Sequence, residues 1–107
     1  MRRAGRTDAN QQEIVDALRW AGAVVEVHSS YPVGYDVLVH HCGATVRVEI
    51  KDGNRKPSER QLTAAEQAAQ AANPATYAVV ESVQEALGLI DSIEQRHELL
   101  QRCGVTA

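Results

Sequence analysis

The chain reads as one α/β domain, a mixed sheet flanked by helices, with its elements in the order α-β-β-β-α-β-α. Three observations predict this. Residues 35–51 hold two β-branched runs around Cys42-Gly43, a hairpin signature. An alanine-rich helical stretch separates that hairpin from a later strand, and a helical crossover implies that some strands run parallel. Ser/Thr residues followed three positions later by Glu or Gln mark where the later helices begin.

In chain order, Arg2, Arg3 and Arg6 make residues 1–7 a basic arm, expected to be disordered. Asp8 is the expected N-cap of the first helix, with Gln11 at the capping-box position. Ile14, Ala17, Leu18 and Ala21 recur at helical spacing up to Gly22. Residues 23–28 read as the first strand. Pro32 and Gly34 make residues 29–34 a loop. Gly34 is there either as a turn residue or to let a substrate backbone approach closely.

The central hairpin follows. With Cys42 and Gly43 as its turn, His41 faces Ala44, His40 faces Thr45, Val39 faces Val46, Leu38 faces Arg47 and Val37 faces Val48. Asp36 then faces Glu49. Residues 52–54 turn, and either Ser58/Gln61 or Thr63/Glu66 caps the next helix. Asn73-Pro74 ends that helix, and residues 76–80 form a short buried strand. Ser82 and Glu85 open a last helix carrying Val83, Ala86, Leu87 and Ile90. Its apolar spacing persists through Ile93, His97, Leu100 and Cys103, so residues 93–107 form a C-terminal helical extension. Leu99 and Leu100 would be exposed on a small monomer, which points to a homodimer.

Composition bounds the function. A length of 107 residues suits one domain spanning 1–107. Phe is absent and there is one Trp, so the core is aliphatic. No apolar run approaches the roughly 18 residues of a membrane span, and the N-terminus lacks the apolar segment of a signal peptide. Cys42 and Cys103 are expected to be free thiols of a cytoplasmic protein. The net charge of −3 argues against an indiscriminate nucleic-acid binder. Arg55, Lys56 and Arg60 nevertheless cluster just after the hairpin, as phosphate contacts do.

The hairpin register has a chemical consequence. Strand side chains alternate, so Asp36, Glu49 and Lys51 converge on one face while Val37, Val39, Val46, Val48 and Ile50 line the other. Opposed like charges destabilise a strand pair unless a cation lies between them. That cation is either the Lys51 ammonium, giving a salt-bridged polar face, or a hard divalent ion. His40 and His41 point to opposite faces and do not make a zinc site. No nucleophile elbow or phosphate-binding loop is present.

Asp36 followed by Glu49-Ile50-Lys51 resembles the PD-(D/E)XK nuclease signature. The wider context runs from Asp8-Ala-Asn-Gln-Gln-Glu-Ile-Val through Glu49-Ile-Lys-Asp-Gly to Ser58 and Leu62-Thr-Ala-Ala-Glu66. It is similar to small phage-type nucleases of the Holliday-junction-resolvase-like and VRR-NUC-like kinds. The resemblance covers residues 8–87, with Tyr35 standing where the family has proline.

It implies a restriction-endonuclease-like αβββαβ core and an Mg2+-dependent deoxyribonuclease, located in the cytoplasm of a bacterial or phage-infected cell. Asp36, Glu49 and the Ile50 carbonyl would hold Mg2+ or Mn2+. Glu13 would approach from the first helix, unless it is simply a solvated helix residue. Lys51 would act on the attacking water and the phosphate, leaving 5′-phosphate and 3′-hydroxyl ends. Arg55, Lys56, Ser58 and Arg60 would contact DNA. Gln61 or Gln67 would lie near the site, or simply on the surface. The alternative is a non-catalytic DNA- or protein-binding module that keeps the nuclease fold.

Overall fold

A computed structural model describes residues 9–105. The basic arm and the expected Asp8 cap lie outside the described residues. Helix α1 spans Gln11–Trp20, strands β1, β2 and β3 span Val24–Val27, Val37–His41 and Ala44–Ile50, and helix α2 spans Ala64–Ala72. Strand β4, Tyr77–Val80, and helix α3, Val83–Arg102, complete the order α-β-β-β-α-β-α. Single turns of 3-10 helix at Pro57–Glu59 and Pro74–Thr76 lead into α2 and β4.

The sheet order is β1-β2-β3-β4, with two antiparallel pairings and a parallel β3–β4 pair across the α2 crossover. The β2–β3 register is the expected one, from His41 opposite Ala44 to Val37 opposite Val48. Cys42 and Gly43 adopt φ of 50° and 76°. Two successive positive φ values belong to a type I′ turn, whose twist matches the flanking strands.

One sheet face is aliphatic. Val25, Val37, Val39, Val48, Ile50 and Val80 meet Ile14, Val15 and Leu18 of α1 and Ala86 and Ile90 of α3, all buried. Helix α2 covers part of the opposite face. Arg47 on that face donates to the carbonyls of Ala69 at 2.7 Å and Asn73 at 2.6 Å, and its guanidinium lies 5.2 Å from the Tyr77 ring centroid. A cation at the C-terminal end of a helix satisfies carbonyls that have no partner within the helix.

Gly34 holds the other end of α2. It sits at φ +85°, and a Cβ there would lie 2.6 Å from the Ala65 carbonyl oxygen and 2.8 Å from the Ala69 methyl. The Tyr77 hydroxyl donates to the Gly34 carbonyl at 2.8 Å. The close neighbour that requires glycine at this position is therefore helix α2.

One helix start differs from the sequence reading, and another chooses between its two alternatives. Asn10 is the α1 N-cap residue but makes no side-chain cap bond. Its amide instead donates to the carbonyls of Lys51 at 3.1 Å and Glu81 at 3.0 Å, tying α1 to the ends of β3 and β4. For α2 the true box is Thr63/Glu66, with both bonds present, while Ser58 lies in the preceding 3-10 turn.

Helix α3 runs unbroken for 20 residues. Its first half buries Ala86, Ile90 and Ile93, and beyond Ile93 the helix loses its cover, leaving Leu99 half exposed and Leu100 partly covered. Among the described residues no helix is long and apolar enough to cross a membrane, and Cys42 and Cys103 are free thiols.

Candidate functional site

Strand β2 begins at Val37, one residue after Asp36. The Asp36 N–H donates to the Val48 carbonyl at 3.0 Å, one residue off the register that pairs Val37 with Val48, so the regular ladder ends before the expected Asp36–Glu49 pair. The Ile50 N–H donates to the Asp36 carboxylate at 2.8 Å. Asp36 thus finishes the hairpin with its side chain, and this bond fixes the carboxylate against the β3 end that carries Glu49 and Lys51.

Asp36, Glu49 and Lys51 line one cavity of about 440 Å³. One wall comes from the β1–β2 loop: Ser29, Tyr31, Pro32, Gly34 and Tyr35. The other comes from the segment after β3: Arg55, Glu59, Gln61, Thr63, Ala65 and Glu66. The Tyr35 hydroxyl lies 3.3 Å from His28 Nδ1, which props that side chain from behind.

Glu49 and Lys51 are buried although both are ionisable, with exposures of 4% and 9%. Isolated buried charges are costly, so their partners matter. The Lys51 ammonium lies 2.9 Å from Glu66 Oε1 and 3.4 Å from Glu49 Oε2. Burial, the hydrogen bond with Glu66 and the charge of Asp36 together push the Glu49 carboxyl up to about 9, with Lys51 only partly offsetting them. Burial also works against ionisation of Glu66, but hydrogen bonds from Glu49, Lys51 and the Thr63 N–H hold its carboxyl below the usual range. Lys51 is drawn down by burial and raised more strongly by the two glutamates, so it is an ammonium. Three carboxyls share one ammonium here, and Glu49 is the one that keeps a proton at neutral pH.

This arrangement fits a hard divalent cation by its donor chemistry. The oxygens of Asp36 and Glu49 come from adjacent strands, and the site has one anion too many for its lysine. Among the described residues no three His, Cys, Asp or Glu side chains are grouped to cage an ion. An ion here would rest on two carboxylates and the Ile50 carbonyl, leaving positions for water and substrate oxygens, the usual arrangement for Mg2+.

The remaining expected residues divide. Arg55 reaches the cavity and lies 4.0 Å from Asp52. Lys56 and Ser58 are exposed and do not line it. Arg60 is committed elsewhere, donating to Glu81 and to the Arg55 carbonyl, both at 2.9 Å. Gln61 lines the cavity, whereas Gln67 donates to the Leu62 carbonyl.

Glu13 is exposed and lines a separate cleft with Asn10, Asp52, Glu81 and Glu85, so it does not join Asp36 and Glu49. The cause is helix phase. Gln11, Ile14, Val15 and Leu18 form the buried stripe, and Glu13 lies outside it. Gln11 is the α1 residue that reaches towards the cavity, donating to the Ser29 hydroxyl at 3.1 Å.

The residue that sequence reasoning passed over is Glu66. Its signal was its place at the third position of α2 after the capping threonine, where a carboxylate turns back over the helix start. Comparison of the chain with family models, curated proteins and solved structures gave no match.

Proposed function

We propose that this chain is a metal-dependent nuclease that hydrolyses DNA phosphodiester bonds endonucleolytically, on a restriction-endonuclease-like core. The observation that supports it is the meeting of Asp36, Glu49 and Lys51 in one cavity, with Glu49 buried beside two further carboxyls that Lys51 only partly offsets. A salt-bridged polar face would account for Lys51, but it gives no use for gathering Asp36, Glu66 and the buried Glu49 around a single ammonium.

Asp36, Glu49 and the Ile50 carbonyl would hold Mg2+ or Mn2+. The ion would supply Lewis acidity and make a water nucleophilic near neutral pH. Lys51 projects from the Glu49 face and presents an ammonium to the cavity. There it stabilises charge building on the phosphate and orients the attacking water. Arg55, exposed at the cavity wall, takes the next phosphate along the strand. The lining carboxylates of Asp36, Glu49, Glu59 and Glu66 outnumber the cations of Lys51 and Arg55, so a phosphate enters only with its metal. We further propose that the chain acts as a homodimer paired through the second half of α3, and that it works in the cytoplasm of a bacterial or phage-infected cell.

The test is incubation of purified protein with linear, nicked and branched DNA in Mg2+, Mn2+ or EDTA. Cleavage that needs the metal and leaves 5′-phosphate ends is expected. Binding without cleavage of any substrate would favour the non-catalytic module.

A further inference from the structure

We propose that Glu66 is a positioning residue for Lys51: helix α2 carries the carboxylate that holds the catalytic ammonium at the cavity wall. The proposal rests on the nuclease reading for what Lys51 does, and on geometry alone for how it is held.

The Lys51 ammonium is closer to Glu66, at 2.9 Å, than to Glu49, at 3.4 Å. A lysine side chain has many rotamers and fixes itself poorly. Glu66, in contrast, is anchored. The same Oε1 that receives Lys51 also accepts the Thr63 N–H at 2.8 Å, and the Glu66 N–H donates to Thr63 Oγ1 at 3.2 Å. The helix behind it is fixed at two points, by Gly34 against Ala65 and Ala69 and by Arg47 on the Ala69 and Asn73 carbonyls. A rigid chain of contacts therefore runs from the sheet through α2 to the ammonium.

Drawing the ammonium towards Glu66 also keeps it from settling wholly on Glu49. With Glu66 removed, Glu49 is the carboxylate left beside Lys51, and the lysine then competes with the metal for it.

The chain contains two lysines, Lys51 and Lys56. Lys56 is exposed and serves as an internal standard. Trace acetylation of the whole folded chain, read by peptide mass spectrometry, should modify Lys51 far more slowly than Lys56. Glu66→Gln keeps a residue suited to the cap and removes the charge. It should raise the Lys51 rate relative to Lys56 by about tenfold, the equivalent of one charge-assisted hydrogen bond. Thr63→Ala loosens the cap but leaves the carboxylate, and should leave most of the protection in place.

In cleavage assays Glu66→Gln should lower kcat by about tenfold with the KM for DNA unchanged, as expected for a group acting only in the chemical step. Unchanged protection of Lys51 in Glu66→Gln overturns the proposal. So does an equal loss in Thr63→Ala, because the helix and not the carboxylate would then be responsible. The labelling needs no cleavage, so a chain that cuts nothing refutes the nuclease reading while the positioning is still decided.

Discussion

Replacing Glu49 with glutamine separates a metal site from a salt-bridged surface. Glu49 binds its proton up to about pH 9, against an ordinary 4.5. Between those values the folded chain holds more protons than the unfolded one, so metal-free stability falls as pH rises through that window. At pH 7.5 the penalty on the folded state has an upper bound of about 4 kcal/mol, at 1.36 kcal/mol for each unit above the ordinary value. Glu49→Gln removes it, and forfeits a long contact with Lys51 at 3.4 Å together with the bonding to Glu66. The net gain should be about 1–2 kcal/mol, or roughly 5 °C or more in Tm for a domain of this size.

Thermal unfolding of both proteins at pH 5, 7.5 and 9, with and without Mg2+, reads this directly. Without metal the variant should be the more stable protein at pH 7.5 and 9, and the less stable one near pH 5, where the penalty has faded and only the lost contacts remain. Millimolar Mg2+ should raise the wild-type Tm and leave the variant unmoved. Equal Tm values at every pH, or a full Mg2+ shift in the variant, would refute the reasoning.

The other expected outcomes follow from the same geometry. Lys51→Ala should keep fold, metal binding and DNA affinity and lose about 10²-fold or more in cleavage rate at saturating metal and DNA; a wild-type rate would reduce Lys51 to a salt-bridge partner. Arg55→Ala should weaken DNA binding in filter or anisotropy titrations and lower its salt slope by about one. Arg60→Ala, by loss of its Glu81 contact, should instead cost on the order of 1 kcal/mol in denaturant unfolding. Gly34→Ala should destabilise by about 2 kcal/mol or more, since φ +85° and the Ala65 carbonyl both oppose a methyl. Light scattering at tens of micromolar should report a dimer, and truncation after Ile93 should give a monomer.

What the sequence disclosed was mostly local. The hairpin register was legible because Cys42-Gly43 demands a turn with positive φ and because alternating valines admit only one face to the core. The Ser82 cap of α3 was legible from its own local pattern, while for α2 the same pattern occurs at both Ser58 and Thr63 and does not choose between them. Tertiary contacts were not. Asn10 looks like a helix cap, yet its amide is used by β3 and β4. Glu66 was legible as a capping-box member, but its contact with Lys51 spans 15 positions and no local pattern encodes it. Glu13 lies on the exposed side of α1 and in a different cleft, because a motif fixes a position in sequence and not a phase around the helix axis. Helix α2 resisted reading because its many alanines carry little to set its phase, which is fixed instead by distant contacts with Gly34 and Arg47.

Anomalous scattering from a Mn2+-soaked crystal tests the central claim most directly. The account expects one strong peak within coordinating distance of the Asp36 and Glu49 carboxylates and the Ile50 carbonyl, absent in Glu49→Gln, with Lys51 still against Glu66. A fully occupied peak elsewhere with none between Asp36 and Glu49, or a peak there that survives in Glu49→Gln, would contradict it.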